Sequence, residues 1–149
     1  MTQGDTIETL NDLLETSRDG EYGFNACAEH VKAPDLRATL QHRAQECQRA
    51  AHELQSMISQ LDGSTADGGT AVGAMHRGWV SVRAVLSTST DHAMLEECER
   101  AEDRALARYR AALKADLTPE ARALVERQCE GVQRNHDLIR DLRDRGVDA

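Results

Sequence analysis

Apolar residues recur at spacings of three and four along four separate stretches of this 149-residue chain. Nowhere do they alternate with period two for long enough to make a strand. Side chains three and four apart share one face of an α-helix, whereas a half-buried strand needs strict alternation. That pattern restricts the chain to helices that each bury one stripe. Composition agrees: the aromatic residues are only Tyr22, Phe24, Trp79 and Tyr109, too few to furnish the pleated faces of a sandwich or barrel. The length suits a single domain with one core.

The first stripe runs Ile7, Leu10, Leu14, Ser17, Glu21, Phe24, Ala28 and Val31. It predicts a helix over 6–32, opened by Asp5 with Glu8 and broken at Ala33-Pro34, because proline disfavours α geometry in its predecessor. The second stripe, Leu36, Leu40, Arg43, Cys47, Ala50, Leu54, Met57 and Leu61, predicts a helix over 35–61 capped by Asp35 and stopped by Asp62-Gly63. Residues 90–115 carry Leu95, Glu99, Glu102, Leu106, Tyr109 and Leu113, with a cap expected among Ser87 to Thr90. Thr118-Pro119-Glu120 reads as cap, first-turn proline and acid for a helix over 119–144, whose inner side carries Val125, Cys129, Val132, His136 and Ile139.

Connection lengths set the topology. The first two helices, and the last two, are joined by a few residues each, which makes both pairs antiparallel neighbours. Between the second and third lies a crossover, 62–89, containing a short helix at about 72–86. Two hairpins joined by one long crossover form an all-α, ferritin-like four-helix bundle, with its two short turns at opposite ends.

The charge balance is 18 Lys+Arg against 26 Asp+Glu, a net −8. An acid excess argues against a nucleic-acid partner, which needs cations along its phosphates. No apolar run approaches the roughly 20 residues that cross a bilayer, so no membrane partner is expected. The opening MTQGDTIETL shows neither basic flank nor apolar stretch, so no signal peptide is expected. Cys27, Cys47, Cys98 and Cys129 form no CxxC pair and fall within helical stripes, as expected of reduced thiols packed in a cytoplasmic protein.

Acids in a seam are the anomaly, because a buried carboxylate must be paired, neutralised or metal-bound. Glu21, Glu99 and Glu102 take seam positions, Glu46 sits at a seam edge, and His136 faces inward. Glu21 lies about 12 residues before the first turn and Glu46 about 13 after it, which makes them level along helices rising 1.5 Å per residue. Glu99 and His136 flank the second turn at about 18 residues each, and opposite turns bring all five to mid-bundle. Carboxylates and a histidine converging there are how such bundles hold iron or another divalent metal.

The segments Asp19-Gly20-Glu21-Tyr22-Gly23-Phe24, Arg43-Ala44-Gln45-Glu46-Cys47, His76-Arg77-Gly78-Trp79, Leu95-Glu96-Glu97-Cys98-Glu99-Arg100 and Arg134-Asn135-His136-Asp137 resemble a bacterial family of ferritin-like four-helix-bundle proteins of unknown function. The resemblance spans almost the whole chain and implies the fold without an activity. Against the wider di-iron pattern, which uses Glu-x-x-His on two helices, Glu46 is followed three residues on by Arg49, and His136 is preceded three residues back by Gln133.

Two readings stay open. In one, Glu21, Glu46, Glu99, Glu102 and His136 hold a metal. In the other, the chain is a non-enzymatic helical scaffold or stress-related interaction protein whose core acids pair internally, Glu21 with Arg43 and Glu99 with His136. A homodimer is compatible with both, since bundles pair along exposed apolar stripes.

Overall fold

Proline and threonine fix where the helices begin. Pro34 and Pro119 each occupy the first turn of a helix, where a fixed φ and a missing N–H cost nothing. Thr90 and Thr118 accept hydrogen bonds from the backbone N–H groups of Ala93 at 3.0 Å and Ala121 at 3.3 Å, so each satisfies one of the orphan donors at a helix start. A computed structural model describes residues 2–61 and 90–145. The helices are α1 (Thr2–His30), α2 (Pro34–Gln60), α3 (Asp91–Leu113) and α4 (Pro119–Asp144), and no strand occurs among the described residues. The expected crossover, with its short helix at about 72–86, lies outside the described residues.

Two helix starts differ from the sequence reading. α1 begins at Thr2, so Asp5 lies within its first turn, where a carboxylate suits the helix dipole. The residue before α2 is Ala33, which offers no side-chain cap, and Asp35 lies inside the first turn. Pro34 is already pre-set for the helix, so α2 starts there and leaves Asp35 one position too late to cap.

Packing divides the bundle into two apolar clusters. One gathers Leu10, Leu14, Leu54, Ile58, Leu106 and Val125, from the first halves of α1 and α4 and the second halves of α2 and α3. The other gathers Phe24, Cys27, Leu40, Met94, Cys98 and Ile139 from the opposite halves. Each cluster thus draws on all four helices. α1 packs along α2, α3 along α4, and α1 against α3, whereas α2 and α4 meet only sparsely.

A buried polar side chain ties the hairpins together at each end. Asp91, at the start of α3, is 1% exposed, and its two oxygens accept from the backbone N–H groups of Lys32 at 2.9 Å and Ala33 at 3.0 Å. These are the donors of the α1–α2 turn. At the other end, the buried Thr6 hydroxyl donates to the Asp116 carbonyl at 3.4 Å and accepts from the Thr118 N–H at 3.1 Å, in the α3–α4 turn. The two turns therefore stand at opposite ends of the bundle.

Core faces agree with the periodicity except where a spacing of three competes with one of four. On α4 the buried residues are Ala121, Leu124, Val125, Gln128, Val132 and Ile139. Cys129, expected inside, is only half-buried, because Gln128 takes the inner position between Val125 and Val132. Replacing Asp91 with Ala strands two turn N–H groups, and we expect a loss of about 2–4 kcal/mol in urea unfolding. Thr90→Ala, which removes only a cap, is expected to cost about 1 kcal/mol.

Candidate functional site

Between the two apolar clusters lies a polar layer built around Arg43 of α2 and Glu102 of α3. Arg43 Nε donates to Glu102 Oε2 at 2.6 Å and Nη2 donates to Oε1 at 2.9 Å. Both residues are buried, with Glu102 only 1% exposed. The planar guanidinium fork matches the carboxylate in a two-point contact, which orients both side chains. On one face of the guanidinium lies the Phe24 ring, its centroid 5.3 Å from Cζ, a cation–π contact in a desolvated setting. Arg43 had been expected to meet Glu21.

Glu21 misses that partner for a geometric reason. Residues 17, 20, 24 and residues 17, 21, 24 both obey the three–four rule, and Gly20 takes the inner position. A Cβ on Gly20 would stand 2.7 Å from Cys47 Sγ, so glycine is what lets α1 approach α2 here. Glu21, one residue or about 100° further round the helix, is half-buried and makes no hydrogen bond or ion pair among the described residues.

A second polar chain spans the loosely packed side. The Tyr109 hydroxyl of α3 donates to Gln128 Oε1 of α4 at 2.8 Å. Gln128 Nε2 in turn donates to the Ala50 carbonyl at 3.3 Å and to Glu53 Oε1 at 3.0 Å, both on α2. Arg127 completes the link with a 3.0 Å contact to Glu53. These polar groups border a cavity of about 650 Å³ reached by all four helices. Two of the residues that line it, Asp19 and Glu46, each keep one carboxylate oxygen, Oδ1 and Oε1, buried without a hydrogen-bond partner. His42 Nδ1 stands 3.7 Å from Glu46 Oε1, beyond hydrogen-bond length.

The remaining candidates lie elsewhere. Glu99 pairs with Arg143, and His136 Nε2 stands 3.9 Å from it. The closer partner of His136 is Asp103, at 2.6 Å, with Asp137 3.3 Å from Nδ1. In place of the expected Glu99–His136 hydrogen bond, the shortest contact of His136 Nε2 is with Asp103. The five residues Glu21, Glu46, Glu99, Glu102 and His136 do not meet at one point. Among the described residues no group of three or more His, Cys, Asp or Glu is arranged to hold a metal ion. The donor chemistry explains the misfit: both oxygens of Glu102 face a guanidinium, and Glu99 faces Arg143.

Sequence reasoning passed over Asp103, Asp19 and the cavity arginines other than Arg43, because all read as solvated charge. The one usable signal was the density of arginine around mid-bundle heights. Nucleophilic chemistry has no support from Cys47: it lines the cavity, but burial pushes its thiol up to about 12, leaving the unreactive protonated form at neutral pH.

Burial pushes the Asp19 carboxyl up to about 6, against the pull of Arg104 and Arg108. The folded state therefore holds this proton more tightly than the unfolded chain does. Stability then falls as pH rises from 3.8 to about 6, since the folded chain binds more protons over that interval. Asp19→Asn removes this slope. Its denaturation midpoint is expected to match the parent near pH 4 and to exceed it at pH 7, as measured by urea titrations at both values.

No curated protein matches the chain. Residues 5–115, spanning α1 to the end of α3 and including both Arg43 and Glu102, match the family described as Domain of unknown function (DUF2383). That match covers most of the chain, and the protein belongs to this family.

Proposed function

We propose that this protein is a non-enzymatic helical scaffold of ferritin-like crossover topology, in which arginine holds the core acids that a metal-binding bundle would use as ligands. The carrying observation is the two-point contact of Arg43 with Glu102, at 2.6 and 2.9 Å in a buried setting. A guanidinium at that place supplies the charge that neutralises the carboxylate, so the acid needs no ion. In this reading the protein is cytoplasmic, where its thiols stay reduced, and acts by contact with partners or a second copy of itself. No helix among the described residues is long and apolar enough to cross a membrane.

The competing reading is a centre for iron or another divalent metal drawing on Glu21, Glu46, Glu99, Glu102 and His136. It requires Arg43 to release Glu102, and one double-mutant cycle separates the two. Glu102→Gln leaves Arg43 buried without its counter-charge and is expected to cost about 3–5 kcal/mol. The double variant Arg43→Met/Glu102→Leu removes both charges and is expected to recover most of that loss. Elemental analysis of the purified parent, before and after exposure to Fe(II) in air, is expected to find no stoichiometric metal. A bound ion that disappears in Glu102→Gln would overturn the scaffold reading.

A further inference from the structure

The mid-bundle cavity has a charge opposite to that of the chain around it. Among the described residues six arginines and no lysine line it, against five acids, a small excess of positive charge in a chain of net −8. At about 650 Å³ it lies within the size range of small-molecule sites. Among the described residues its walls belong to helices rather than loops, which fixes the backbone from which its side chains project.

Part of this charge is already committed. Arg43 is held by Glu102 and Arg127 by Glu53. Arg49 of α2 and Arg134 of α4 are different: both line the cavity, and neither makes a hydrogen bond or ion pair among the described residues. They come from the two helices that meet only sparsely. Arg134 also bends back over its own helix, with Nη2 3.6 Å from where a Cβ on Gly131 would stand. A glycine there leaves the guanidinium room beside the cavity wall.

The rest of the wall narrows the ligand class. Phe24, Cys47, Ala101, Ala105 and Val132 offer apolar surface, which favours a hydrocarbon body. Arginine forks ask for a carboxylate or phosphate. We propose that this cavity binds a small amphipathic organic anion, with Arg49 and Arg134 taking the acid group. The proposal goes beyond the scaffold reading, and its failure would leave the Arg43–Glu102 pair unaffected.

The test is isothermal titration calorimetry of the full chain with decanoate, using decyltrimethylammonium as a cation of the same tail length. The expected result is saturable binding of one molecule per chain, with no saturable heat from the cation. Arg49→Gln/Arg134→Gln changes two exposed side chains and is expected to weaken binding by about tenfold or more. Ala105→Phe, which fills the cavity, is expected to block it. The proposal is overturned by absence of saturable binding up to about 5 mM, by equal affinity for the cation, or by unchanged affinity in the double arginine variant. If Ala105→Phe fails to fold, the double arginine variant alone decides the outcome.

Discussion

The Arg43–Glu102 contact stands where the two apolar clusters of the bundle meet, and much of the architecture is arranged around it. It joins α2 to α3, and hence one hairpin to the other, at mid-height. Two charges taken out of water carry a desolvation cost of several kcal/mol per ion, offset only by good geometry and full hydrogen bonding. The geometry comes from the two contacts to Glu102 and the Phe24 face. Sliding one hairpin along the other by a single helical turn would separate the pair and leave both charges buried, a penalty far above the loss of a few apolar contacts. Apolar stripes alone tolerate such a slide, because hydrophobic attraction is non-directional. The ion pair therefore fixes the register that the stripes leave loose.

The polar contacts at the ends act in the same sense. Asp91 holds the first turn against the start of α3, and Thr6 holds the second turn against the start of α1. Three buried polar devices, at the two ends and the centre, thus align four helices whose apolar faces could pack in several ways. The cavity follows from the same arrangement. α1 approaches α2 closely at Gly20, where a methyl group would collide with Cys47, and α2 and α4 meet only sparsely. The space left on that side is bridged by Gln128 and Arg127 rather than filled by apolar side chains.

Much of the bundle was legible in the sequence because helix periodicity and cap chemistry are local. Thr118 with Pro119, and Thr90 ahead of Asp91, act through neighbours a few residues away. The inward placement of Glu102 and Arg43 could also be read, since each sits on an unambiguous stripe. What failed was pairing. Glu21 and Gly20 are equally compatible with the spacing, and only the approach of Cys47 decides which faces inward. Cys129 and Gln128 pose the same choice, settled by Tyr109 and Glu53, which reach Gln128 from two other helices. His136 was placed at the right height, yet Asp103, one turn beyond Glu99 on α3, stands closer to it.

Sequence by itself determined that the chain is helical, where each helix runs to within about a turn, and that a few acids turn inward against an otherwise solvated acidic surface. Each of these depends on residues near one another along the chain. Only the tertiary structure decided what those acids meet: Glu102 meets Arg43, Glu99 meets Arg143, and no three of the five candidate ligands are arranged to hold a metal ion. Partner choice across helices depends on differences of about one residue in rotation and register, an angle of about 100°. A spacing of three or four does not resolve that angle, whereas the packing of neighbouring helices does.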